Sequence, residues 1–129
     1  MPNTKVSPYP KRLLEQMAET SGLIMKARSL VAMGMADLAS SAWLAAASGE
    51  EQTAPRLETL DRCQEAAVHR LSAGSCYQHA GEPAKAINLY RAALAGPLPD
   101  HTRKETEQLL TACLAQLANS ANGNGGRRS

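Results

Sequence analysis

Apolar residues recur along this chain at three- and four-residue spacing, interrupted at a few points by Gly and Pro. Leu13, Leu14, Met17, Leu23/Ile24, Ala27, Leu30 and Val31 trace one face of a helix over about residues 8–33. Ser7-Pro8 reads as an N-cap followed by Pro at the first helical position, with Pro10 still inside the first turn. Gly22 is the point where this helix can kink, and Gly34 ends it. A second helix over residues 36–48 stops at Gly49. Thr53-Ala54-Pro55 opens a third, with Leu57, Leu60, Cys63, Ala67, Leu71, Gly74 and Tyr77 at helical spacing, ending at Gly81. Glu82-Pro83 starts a fourth, to about Ala95, with Ala86, Ile87, Tyr90, Ala93 and Leu94 on one face. Gly96-Pro97-Leu98-Pro99 breaks the chain, because Pro lacks a donor and its ring clashes with a preceding helical turn. Asp100 caps a fifth helix to about residue 118, with a face of Leu109, Leu110, Cys113, Leu114 and Leu117 that covers the hairpin formed by the third and fourth and turns Arg103, Lys104, Glu107 and Gln108 to water. Residues 1–7 and 119–129 hold too little apolar surface to offset the entropy of ordering them, and both are expected to be disordered.

A shift of 47 residues superimposes the two halves of the chain. Pro8 falls on Pro55, Gly34 on Gly81, Ala39 on Ala86, Ala46 on Ala93 and Gly49 on Gly96, with Trp43 on Tyr90. The units are then 8–53 and 54–100, each a long helix, a Gly turn and a shorter helix, followed by the cap helix 101–118. Small residues (Ala27 and Gly74, Ala39 and Ala86) let two backbones approach, while Trp43 and Tyr90 fill the space beside them.

Gly74, Tyr77, Gly81, Ala86, Tyr90 and Ala93 resemble the packing signature of the tetratricopeptide repeat. Ala27, Leu30, Gly34, Ala39, Trp43 and Ala46 give a weaker copy. The chain departs from that family in its 47-residue period, against the family's 34, and in Leu23 and Arg70 at the early large position. The resemblance implies an all-α fold of two antiparallel hairpins plus a capping helix in a right-handed stack. It also implies a face along the first helices that holds a peptide or partner helix, carried over onto Arg28 and Val31 and onto Ser75, Gln78 and His79. The family's carboxylate clamp needs Lys and Asn where this chain has Ile24 and Arg28, then Leu71 and Ser75, so a chaperone tail is not the expected ligand. Residues 66–118 also resemble a vesicle-sorting three-helix domain, a reading that leaves the first 50 residues without a role.

Composition supports helices: Ala is the best helix former, the chain has 23 of them, and Phe is absent. The net charge of +2 conceals its distribution. Five basic residues lie near the ends (Lys5, Lys11, Arg12, Arg127, Arg128), leaving nine against twelve acidic ones, which argues against a nucleic-acid partner. No apolar run is long enough to cross a membrane and residues 1–10 lack a secretory signal's apolar core, so a cytoplasmic location with no membrane partner is expected.

Cys63, Cys76 and Cys113 read as buried, reduced thiols. Cys76 and His79, three residues apart, could join Cys63, Cys113 or His69 at a metal, but no CxxC or HxxxH pair supports one. Glu50-Glu51, placed in a turn, and Glu105/Glu107 read as solvated surface. The expectation is a non-catalytic interaction module or adaptor without cofactor or metal. The alternative is a structural subunit that self-associates, by homodimerisation or within a larger complex, because the first unit has no N-terminal cap.

Overall fold

A computed structural model describes residues 8–127, with side chains to residue 121. Its five helices are α1 (Lys11–Ala32), α2 (Ala36–Thr59), α3 (Cys63–His79), α4 (Pro83–Leu94) and α5 (Asp100–Arg127), and no strand occurs among the described residues. The expected all-α class is what the described residues adopt, and the packing of successive helices is consistent with hairpins.

Three of the four connections are the same turn. Gly34 and Gly81 sit at φ 76° and 80°, and Asp61 takes the same left-handed conformation at φ 63°. After each, one amide closes five residues back: Met35 to Leu30, Arg62 to Leu57 and Glu82 to Tyr77, all at 2.9 Å. These are Schellman turns, which satisfy carbonyls orphaned at a helix end. In each case an alanine five residues past the left-handed position (Ala39, Ala66, Ala86) is buried. So is the alanine twelve past it (Ala46, Ala73, Ala93).

Several boundaries differ from those read from sequence. Gly49 does not end α2 and Pro55 does not open a new helix, because α2 runs through both to Thr59. Gly49 serves close packing: a Cβ there would collide with Thr20 Oγ1. Pro55 gives up one backbone hydrogen bond on an exposed position, while Ala54 and Leu57 beside it are fully buried. The hairpins are therefore 11–59 and 63–94. Pro10 precedes α1 at ψ 150° instead of lying in its first turn, and Gly22 stays within one continuous helix. The helix at 100 continues to Arg127, into the segment 119–129 expected to be disordered, of which residues 128 and 129 lie outside the described residues. Once its first turns are fixed by packing, each further residue adds a hydrogen bond without a new nucleation cost. Residues 1–7, expected to be a disordered arm, lie outside the described residues.

Helices pack chiefly on their neighbours in sequence: α1 on α2, α2 on α3, α3 on α4 and α4 on α5. The contacts keep the 47-residue register. Thr20 meets Gly49 as Ala67 meets Gly96, and Ala27 packs in one cluster with Trp43 where Gly74 lies under the Tyr90 ring. A Cβ on Gly74 would come within 2.6 Å of Tyr90 Cε1. The core is correspondingly thin, an Ala-lined seam carrying a few large side chains, chiefly Tyr90, Leu13, Leu57, Trp43 and Ile87.

Between α4 and α5, Leu98 is buried and the Arg103 guanidinium donates to the carbonyls of Leu94 (2.7 Å) and Gly96 (2.8 Å). Arg103 thus caps α4 instead of facing water. Of the expected covering face, Leu109, Leu110 and Cys113 pack on α4, whereas Leu114 and Leu117 are exposed because α5 has passed the end of its support.

Candidate partner-binding faces

Three carboxylates cross the α2–α3 seam. Arg70 forms a bidentate pair with Glu58 (2.8 and 3.0 Å), and Tyr77 donates to Glu51. Glu50, on the inner side of α2, is buried and lies 2.6 Å from His69 Nδ1. Glu50-Glu51 is therefore not a solvated turn: it belongs to a helix whose inner arc faces α3. Near the start of the chain Tyr9 donates to Glu65, which also receives Arg62 at 2.5 Å, while the Arg62 guanidinium lies over the Tyr9 ring. Hydrogen bonds from Tyr9 and then Arg62 hold the Glu65 carboxyl below its ordinary range, and Arg70 does the same for Glu58. Burial, reinforced by Glu51, pushes the Tyr77 phenol up to about 12.

The five residues singled out for partner binding lie on the first helix of each hairpin. Arg28 and Val31 are exposed on α1. Ser75, Gln78 and His79 share one arc of α3, but each engages a different neighbour. Ser75 lines a groove of about 420 Å³ with Leu71 and with Glu105, Gln108 and Leu109 of α5. Gln78 accepts the Tyr90 hydroxyl at 2.5 Å. His79 stacks on Trp43 of α2, with ring centroids 4.4 Å apart and planes 17° from parallel. Gln78 is thus engaged by Tyr90, His79 is exposed with one ring face on Trp43, and Arg28, Val31 and Ser75 remain open to solvent or to a groove.

The three cysteines part company. Cys76 is buried in the α1–α2–α3 cluster, Cys113 lies against Tyr90 and Ile87, and Cys63 is exposed at the first residue of α3, where burial had been expected. Burial pushes the Cys76 thiol up to about 12, with Glu50 adding to the effect and Arg28 opposing it, so it is held as the neutral thiol. Among the described residues no three His, Cys, Asp or Glu side chains are grouped to hold a metal, and no helix is long and apolar enough to cross a membrane.

A second surface was not named residue by residue from sequence. Leu23, Lys26 and Leu30 of α1 and Leu38, Ser41, Ala42 and Ala45 of α2 line a largely apolar groove of about 360 Å³ on the hairpin side away from α3. On the same two helices and the turn between them, Val31, Met33, Met35 and Leu38 are between 43% and 62% exposed. The sequence signal was the missing cap of the first unit; side-chain membership needed the register between α1 and α2.

No protein-family model, no curated protein and no solved structure matches this chain.

Proposed function

We propose that this chain is a non-catalytic protein–protein interaction module. One observation carries the reading: α1 and α2 leave an open, largely apolar groove lined by Leu23, Leu30, Leu38, Ala42 and Ala45, with Leu38 59% exposed. Contiguous exposed apolar area of this kind marks interaction sites, because scattered single side chains cost little whereas a shared patch gains by burial. The small–large alternation of Gly74, Ala86, Tyr90 and Ala93, repeated at Ala27, Ala39, Trp43 and Ala46, supports a tetratricopeptide-like stack. In such a stack Arg28, Val31 and Ser75 offer side chains to a peptide or helix along α1 and α3. Affinity capture from source lysate with wild type and with a Val31→Asp/Leu38→Asp variant tests the reading. A distinct protein held by the first and lost by the second is the expected result; capture of nothing by wild type overturns it.

The second reading, a self-associating structural subunit, is favoured by Leu114 and Leu117. They expose a further apolar stripe at the opposite end of the stack, so copies could join end to end. Sedimentation at micromolar concentration separates the two: concentration-dependent growth supports the subunit, a monomer supports the adaptor.

A further inference from the structure

The internal repeat states what the open groove lacks. Shifted by 47 residues, Leu30, Leu38, Ser41 and Ala42 become Tyr77, Lys85, Asn88 and Leu89, and these four line the corresponding groove of the second hairpin. In that hairpin a fifth residue completes the wall: Glu51, from α2. The helix preceding the hairpin lies along this side, and its carboxylates hold it there. Glu51 accepts from Tyr77, and Glu58 one turn-pair further on grips Arg70. The two contacts are seven residues apart on each helix and run antiparallel. Against the first hairpin the described residues place no such helix.

The residues in the two grooves say how the missing helix differs from α2. Tyr77 and Arg70, which take carboxylates, are replaced by Leu30 and Leu23; Lys85 is replaced by Leu38. Between the two leucines lies Lys26 where the second hairpin has the fully buried Ala73. Lys26 has no ion pair among the described residues. An occupant of this groove therefore meets apolar side chains at both ends of a two-turn span and an unpaired cation in the middle.

We propose that the groove receives one amphipathic helix of a partner protein, antiparallel to α1, with apolar side chains at i and i+7 and a carboxylate at about i+4 against Lys26. The proposal rests on the interaction-module reading and names its partner class. A second copy of this chain fits less well. The exposed stripe it could offer from α5, Leu114, Leu117 and Ala118, has no acidic residue within residues 109–127.

The test uses the full chain and two capped, Ala-based helical peptides of about 18 residues, long enough to hold a helix. One carries Leu at i, i+3 and i+7 with Glu at i+4; the other has Lys in place of that Glu. The Glu helix is expected to bind with Kd below about 1 mM, with amide shifts confined to the turns holding Leu23, Leu30, Leu38 and Ala42. Lys26→Glu should weaken it about fivefold, the effect of reversing one partly screened ion pair, and strengthen the Lys helix. Equal binding of both peptides overturns the proposal, as does no binding below 1 mM. Shifts centred on Ser75 and Leu109 also overturn it, while leaving the interaction module standing. A dimer in sedimentation that Leu38→Asp abolishes gives the groove to a second copy and overturns it too. If wild type captures a lysate protein that Lys26→Glu/Leu38→Asp still holds, the site is wrong and the module reading survives. If wild type captures nothing, the reading itself fails.

Discussion

The two hairpins share a turn, a register and a set of close approaches, yet end differently. In the second, α4 ends at Leu94, just before Gly96-Pro97-Leu98-Pro99. In the first, the equivalent Gly49 is followed by Glu50-Glu51-Gln52-Thr53, all competent in a helix, and α2 runs ten residues further. The comparison separates two jobs that a glycine can have. Gly49 and Gly96 both admit a neighbouring side chain, Thr20 or Ala67, and neither is what ends a helix. Termination belongs to the prolines in one case and to Asp61 in the other. The extra length of α2 then supplies Glu50, Glu51 and Glu58, the groups that fasten the second hairpin to the first.

The largest expected effect is on the pair of large residues that each hairpin buries. Trp43→Ala and Tyr90→Ala should each cost about 3–5 kcal/mol in thermal or denaturant unfolding, the usual range for emptying an aromatic site. If the hairpins are energetically equivalent, the two values lie close together. A loss under 1 kcal/mol at Trp43 alone would show that the first hairpin is loosely closed around it. Gly74→Val comes next. Its Cβ meets the Tyr90 ring at 2.6 Å and the Ala86 carbonyl at 3.3 Å, so it should cost about 1–3 kcal/mol by overpacking. Gly22→Val, with nothing within 4 Å, provides the control and should change stability by only a few tenths.

A smaller effect follows from the carboxylates that join the hairpins. Glu58 and Glu65 have folded pKa values below the 4.5 of the free group. The folded state then binds fewer protons near that value. Their contribution is complete above about pH 4.5 and lost as pH falls through the depressed folded values. The melting temperature should therefore be flat from neutral pH down to about 5 and decline below. Glu58→Gln/Glu65→Gln should lower the neutral plateau slightly and flatten the acid decline, slightly because both pairs are solvent-screened. An unchanged acid limb would mean that other carboxylates set it. At the alkaline end the Tyr77 phenol, raised to about 12, contributes fully below pH 10 and ceases to as pH rises through 12.

The helix count, the all-α class, the two Gly turns and the 47-residue register were legible because each depends on local residues: Gly at positive φ, Pro as a break, Ala where backbones close. The α2–α3 boundary was not. Pro55 and Gly49 are strong local signals for ends, and tertiary packing of Ala54 and Leu57 overrode both. A weaker signal did mark the true turn: Ala66 and Ala73 follow Asp61 at the spacing by which Ala39 and Ala46 follow Gly34 and Ala86 and Ala93 follow Gly81. Of the residues assigned to a binding face, Arg28, Val31 and His79 are exposed and Ser75 is half-buried. Sequence could not foresee that Gln78 would meet Tyr90 or His79 meet Trp43. Such pairs depend on the register between helices, which no single-helix pattern contains.

The smallest effect tests whether the third turn is truly a copy of the other two. Asp61 occupies the left-handed conformation that Gly34 and Gly81 adopt without steric cost. An L-residue with a Cβ is strained there, and Asp tolerates it better than most because its short polar side chain can bond locally. Asp61→Gly relieves the strain while loosening the unfolded chain, and the two effects oppose each other. Where φ is positive the first outweighs the second, so Asp61→Gly should stabilise by about 0.5–1 kcal/mol in urea unfolding. Gly81→Ala at the equivalent position should destabilise by about 1 kcal/mol. If Asp61→Gly instead destabilises, the Asp side chain is holding the turn through bonds that glycine cannot supply. The α2–α3 connection would then be a distinct device and not a third use of one motif.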